Sequence, residues 1–237
     1  MATFVLVHGA WHGGWCYRKV AKILRTAGHD VFTPTLTGLG ERSHLRCMGA
    51  NLDTHIQDIA NVIAWEDLEH VVLCGHSYGG MVVTGVADTI PDKIAALVYL
   101  DAYVPENGET IMGMMDPARQ QVILKGAAAI GGHAAPSPPV EMYDVNAVDR
   151  EWVRAKMTPH PLGSFVQAIS LSGAHARVGR HVYVLAEGQP TTTPLYEKFR
   201  NDPAWTVHVL KGGHDLMIDA PEAVARLLCE AAASRPN

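Results

Sequence analysis

Short runs of β-branched and aliphatic residues alternate along this chain with longer segments whose apolar positions recur every three or four residues. TFVLVHG (3–9) reads as a buried strand. WCYRKVAKILRTAG (15–28) puts Val20, Ile23 and Leu24 on one face and ends on Gly28, the pattern of an amphipathic helix closed by a glycine. HDVFTPT (29–35) follows as a strand and LTGLGERSHLRC (36–47) as a loop. LDTHIQDIANVIAWEDL (52–68) then predicts a helix with Ile56, Ile59 and Ile63 in register and Asn51 or Asp53 as its cap. HVVLCG (70–75) and KIAALVYLDA (93–102) are apolar throughout, as strands covered on both faces must be, and SYGGMVVTGVADTIP (77–91) between them predicts a helix from Ser77 to just before Pro91.

The rhythm stops over residues 104–175, which hold prolines 105, 117, 136, 138, 139, 159 and 161, the stretch GAAAIGGHAAPSPP, and weak helical patterns near 147–157 and 164–172. This segment reads as a cap inserted over the sheet, with PSPP as a mobile loop. Strands at HVYVLAEG (181–188) and WTVHVLKGG (205–213), with helices at TPLYEKFRND (193–202) and PEAVARLLCEAAA (221–233), restore the alternation; Pro221 suits the first turn of the last helix. Strand–helix alternation of this kind predicts an α/β fold with a mostly parallel central sheet, in a single domain spanning 1–237. No internal repeat is found.

Composition narrows the function classes. A net charge of −5 without a block of like charges offers no footprint for nucleic acid or an anionic membrane surface. The start, MATFVLVHGA, has no basic region leading an apolar signal, and no run is long enough to span a bilayer, so a cytoplasmic protein is expected. Cys16, Cys47, Cys74 and Cys229 form no C-x-x-C pair and are expected to be reduced and mostly buried; the thirteen histidines form no H-E-x-x-H cluster. Neither metal nor cofactor is expected.

The chemistry concentrates at Gly75-His76-Ser77-Tyr78-Gly79-Gly80, where a strand passes into a helix through G-x-S-x-G. In that context the motif is a nucleophile elbow: a strained serine projects its hydroxyl from the sheet edge, and flanking glycines let strand and helix approach. The competing reading is a serine that merely caps the helix. One donor for a developing oxyanion would be the Tyr78 N–H, next to the nucleophile. A serine also needs a base, and His214, on a glycine loop after the last strand in LKGGHDLMIDAP, is the candidate; His8, His12 and His76 are rivals better suited to loop hydrogen bonds.

FVLVHGAWHGGW followed by GHSYGGM resembles the α/β-hydrolases, in the branch that holds plant methylesterases, hydroxynitrile lyases and small bacterial esterases. The resemblance covers the core strands and both termini well and the cap poorly. It implies a second oxyanion donor at the Ala10 N–H, with Trp11 and His12 lining or bracing the site. It leaves two carboxylates open as the acid: Asp101, closing ALVYLDA 24 residues after Ser77, and Glu187, 27 residues before His214. Asp101 is preferred, because a carboxylate ending a buried strand needs a partner. Asp215 and Asp219 read as helix-entry residues, with Asp215 pointing away from the base.

The expectation is therefore a serine hydrolase, with Ser77, His214 and Asp101 cleaving small apolar or aromatic carboxylic esters. GLGERSHL and LVYLDAYVPENGE resemble bacterial esterases that include carbamate hydrolases, which adds carbamate esters. Met112, Met115 and Tyr143, with Ile111 and Met114, are expected to form an adaptable pocket. The partner is a small-molecule ester, and the protein a monomer or small homo-oligomer. Hydroxynitrile lyase activity is disfavoured: lyases of this branch carry threonine where Gly9 stands and lysine where Asp215 stands. A ligand-binding protein with a slow or silent triad is the alternative from another class.

Overall fold

In the computed structural model, residues 1–233 are described, except for the side chains of Cys47 and Met48. Six strands, β1 (Thr3–Val7), β2 (Asp30–Phe32), β3 (Val71–His76), β4 (Ile94–Leu100), β7 (His181–Ala186) and β8 (Trp205–Leu210), form one sheet in the order β2-β1-β3-β4-β7-β8. Every neighbouring pair is parallel, which the long crossovers between consecutive strands require. The central strands are apolar along their length because helices cover both faces; β3 is buried at all six positions.

The core helices are α1 (Arg18–Thr26), α2 (Leu52–Trp65), α3 (Gly79–Thr89), α7 (Thr193–Phe199), α8 (Leu216–Asp219) and α9 (Pro221–Ala233). Asn51, of the two candidates, caps α2: its side chain accepts the Thr54 N–H while Thr54 Oγ1 accepts the Asn51 N–H. α3 is buried from Gly79 through Ala87, as its apolar composition on all sides demands. Several expected boundaries move. Residues 14–17 form a 3-10 turn ahead of α1, β2 stops two residues before Pro34, and Gly40–Met48 winds as a 3-10 helix where a loop was expected. Cys16 and Cys74 are buried free thiols and Cys229 is half-buried; the expectation for the Cys47 side chain lies outside the described residues.

Between β4 and β7 the chain builds α4 (Pro117–Ala129), the two-residue strands β5 (Ala134–Ala135) and β6 (His160–Pro161), α5 (Arg150–Lys156) and α6 (Gly163–Val166). The longest of these, α4, escapes the hydrophobic pattern because Val122, Ile123 and Leu124 are consecutive: Ile123 is buried while Val122 and Leu124 face outward. The helix expected over 164–172 shrinks to four residues, because Ile169 extends to pair its N–H with Glu109 O at 2.8 Å. In the PSPP stretch Pro136, Ser137 and Pro138 are half-buried and Pro139 is exposed, and Pro138 lines the cleft described next.

Candidate active site

At the carboxyl end of β3 the backbone reverses sharply. Ser77 has φ +51°, a conformation that a side-chain-bearing residue adopts only when its surroundings enforce it. The enforcement is visible: Ser77 N–H donates to Leu100 O at 3.3 Å, and its carbonyl accepts from Gly80 N at 3.0 Å and Tyr103 N at 3.1 Å. A Cβ on Gly75 would lie 2.5 Å from Gly79 O, and one on Gly80 would overlap the Tyr103 carbonyl, so only glycine permits this approach. The α3 cap position falls on Tyr78 without a side-chain bond, so Ser77 is not a helix cap. Its side chain lines a cleft of about 250 Å³ together with His214, Tyr103, Tyr143, Arg119 and Thr192. Larger surface hollows exist beside α1, at the sheet's amino edge, and beside Pro105, where Ser172 and His175 both bond Asp88.

His214 arrives on the loop after β8. Its Nδ1–H donates to Asp101 Oδ2 at 2.6 Å, its backbone N–H donates to Tyr143 O at 2.8 Å, and the Tyr143 ring stacks on its imidazole at 5.8 Å. Asp101 is fully buried, itself at φ +46°, and its other oxygen accepts from Thr192 Oγ1 at 2.6 Å and Ala186 N at 3.2 Å. Glu187, the other carboxylate considered, is exposed. Strand order explains the difference: β7 lies beside β4, so the ends of both strands deliver Asp101 and its donors to one point.

Tyr78 follows Ser77 directly and Ala10 follows Gly9, on which a Cβ would lie 2.9 Å from Ser77 Cβ; among the described residues neither N–H donates to a backbone or side-chain acceptor. Of the five residues expected at the pocket, Trp11 and His12 to line or brace it and Met112, Met115 and Tyr143 to form it, four do not line the cleft. Trp11 is buried, tying the core to the cap through Nε1–H to Ala135 O at 3.2 Å, with its carbonyl accepting Thr158 N at 3.0 Å. Met112 and Met115 are buried as packing within the cap. Tyr143 alone lines the cleft.

The fourth, His12, belongs to a buried network that sequence reasoning missed. Its Nδ1 meets Ala10 O at 2.7 Å and its Nε2 meets Asp215 Oδ2 at 3.0 Å, so both nitrogens face acceptors and the ring is an imidazolium. Burial opposes that charge, but Asp215 and the Ala10 carbonyl outweigh it and hold the His12 pKa above its ordinary value; burial likewise opposes the Asp215 carboxylate, which His12 keeps below its usual range. Asp215 does stand at the entry of α8, yet its side chain turns inward instead of capping. The neighbouring histidines are neutral. Burial pushes His8 and His76 down to about 3, while His8 donates to Gly9 O and accepts from Leu36 N, and His76 Nε2–H donates to His214 O at 3.0 Å. Two neighbours in sequence gave the only signal: an aspartate directly after the candidate base, and a histidine within the glycine-rich first loop. Among the described residues, no group of three or more His, Cys, Asp or Glu is arranged to hold a metal ion.

A parallel sheet with a strained serine after its third strand, and a histidine–aspartate contact at its carboxyl edge, defines a recognisable class. Residues 4–227 match the alpha/beta hydrolase family model, and the chain belongs to that family. A carbendazim hydrolyzing esterase of Nocardioides sp. (strain SG-4G) is 45% identical over 240 residues, spanning 96% of this chain and 98% of that protein. A putative chloroplastic methylesterase 11 of Arabidopsis thaliana is 27% identical over 98% of this chain and 64% of its own length. Among solved structures, an extracellular alpha/beta-hydrolase from a Paenibacillus species superposes with a TM-score of 0.84 at 22% identity, over 99% of this chain and all of that one. The chain is a carboxylesterase-type hydrolase. Among the described residues, no helix is long and apolar enough to cross a membrane.

Proposed function

We propose that the protein hydrolyses small apolar or aromatic carboxylic esters, carbamate esters among them, through an acyl-enzyme formed on Ser77. Ser77 Oγ attacks the carbonyl carbon as His214 Nε2 takes the hydroxyl proton, and Asp101 holds the imidazolium by its Nδ1–H. The tetrahedral oxyanion is received by the Ala10 and Tyr78 N–H groups, at the start of α3 where the helix dipole favours negative charge. Collapse breaks the ester bond, and the imidazolium returns the proton to the departing alkoxide. Water, deprotonated by His214, then releases the acid and restores Ser77.

The observation that carries this reading is the 2.6 Å contact between Asp101 and His214, with His214 lining a cleft that also holds a strained Ser77 not used as a helix cap. Likeness to an esterase that hydrolyses carbendazim supports including carbamates. The test is p-nitrophenyl butyrate and carbendazim turnover by the wild type, Ser77→Ala, Asp101→Asn and Glu187→Gln. Ser77→Ala should abolish both activities and Asp101→Asn should lower kcat by roughly 10⁴-fold, as loss of the correct tautomer does in serine proteases. Glu187→Gln should stay close to wild type. Binding without turnover in the wild type, or Ser77→Ala retaining activity, overturns the proposal.

A further inference from the structure

The cleft that Ser77 lines carries three donor side chains in its wall. Tyr103 and Tyr143 are each 6% exposed, and both phenol oxygens are buried without a hydrogen-bond partner. Buried hydroxyls are almost always partnered, so two orphans in one binding cleft mark where a ligand's acceptors belong. Arg119, half-buried on the first turn of α4, lines the same cleft, and its charge acts on both phenols. Among the described residues its guanidinium makes no ion pair and no side-chain hydrogen bond. The nearby carboxylates are committed elsewhere: Asp116 caps α4 by accepting the Arg119 backbone N–H at 2.9 Å, and Asp101 serves His214 and Thr192.

From this we propose that Arg119, Tyr103 and Tyr143 form a subsite for an anionic acceptor group carried by the substrate, and that the preferred esters bear a carboxylate beyond the scissile bond. The proposal rests on the serine-hydrolase reading and shifts its preferred substrates from apolar to acidic esters. A guanidinium flanked by two phenol O–H donors matches the several lone pairs of a carboxylate, and enclosure by the cap strengthens each contact. A neutral alkyl ester would fill the cleft and leave all three donors unpaired, the situation in which a site discriminates most strongly against a ligand lacking the acceptor.

The test is a ladder of monomethyl esters of straight dicarboxylic acids, each compared with the methyl alkanoate of equal chain length by methanol release. At least one acidic ester should exceed its neutral counterpart in kcat/KM by about tenfold or more. Arg119→Gln should lower that ratio by about tenfold, mainly through KM, and Tyr103→Phe and Tyr143→Phe should lower it several-fold. Calorimetry of the free dicarboxylic acids with Ser77→Ala protein reads the same subsite without turnover, with binding expected there and lost on adding Arg119→Gln. A wild type that prefers every neutral ester, equal losses on both ester types in Arg119→Gln, or no dicarboxylate binding overturns the subsite. If the acids bind but no ester is cleaved, the subsite stands and the hydrolase reading falls.

Discussion

Two buried aspartates serve two histidines that both neighbour the His76 ring, and their partners give them different tasks. Asp101 meets a histidine open to the cleft, whereas Asp215 and His12 are both fully buried. The second pair is positioned to act through the backbone: His12 grips the carbonyl of Ala10, the residue proposed to supply an oxyanion donor. Asp215→Asn leaves a buried imidazole without its counter-charge, and breaking such a pair costs about 3–5 kcal/mol. The raised pKa of His12 makes its contribution complete below the ordinary histidine value of about 6.5 and lost as pH rises through the raised value. The lowered pKa of Asp215 makes its contribution complete above about 3.9 and lost as pH falls through the lowered value. The stability gap between wild type and Asp215→Asn should therefore be widest between about pH 4 and 6.5. Urea melts extending well below pH 4 and well above pH 6.5 test it, and a gap that stays flat over that whole span contradicts the ion-pair assignment.

Among the elements, α3 and β3 are joined so tightly that side-chain volume at the junction decides the serine's geometry. Gly80 sits against the Tyr103 carbonyl, and the adjoining Tyr103 N–H holds Ser77 O. Gly80→Ala must push that strand-end loop away from the helix. A loss of about 1–3 kcal/mol is expected, the usual magnitude of overpacking, which for a chain of this size lowers the melting temperature by about 2–4 °C per kcal/mol. Catalysis should suffer more than stability, because the displaced loop carries both the Ser77 clamp and Tyr103. Unchanged kcat in a folded Gly80→Ala protein would show that the elbow tolerates the shift. The elements also show where periodicity is informative. α2 and α9 each present one apolar face and are legible, but α4 spreads its apolar residues round the helix and is not.

Across the molecule, the cap and the histidine loop are fastened by one carboxylate. Asp219 Oδ1 accepts from Asn146 N at 3.1 Å and Nδ2 at 2.7 Å in the cap, and its Oδ2 accepts from Gly213 N at 2.8 Å, next to His214. The neighbouring Tyr143 carbonyl completes the clamp through the His214 N–H. Asp219→Ala removes three charge-assisted bonds, and a stability loss of about 2–4 kcal/mol is expected. Loosening the base should lower kcat roughly ten- to hundredfold, with a smaller change in KM, since catalysis is more sensitive to placement than binding is. Steady-state kinetics decide it: a change confined to KM would show that the clamp shapes the pocket and leaves the base in place.

What the linear chain determined by itself was everything encoded in neighbouring residues: the alternating apolar runs that make a parallel sheet, the G-x-S-x-G turn between β3 and α3, and the glycine loop bearing His214. Each follows from local propensity and burial pattern, which act over a few residues. Tertiary structure alone decided which carboxylate meets His214, because that depends on β7 lying beside β4, and it moved Trp11, His12, Met112 and Met115 out of the cleft lining. It also paired His12 with Asp215 across 203 residues and gathered Arg119, Tyr103 and Tyr143 from three separate segments. Contacts of that kind have no period and no motif; they exist only once the sheet order and the cap bring distant side chains into the same low-dielectric space.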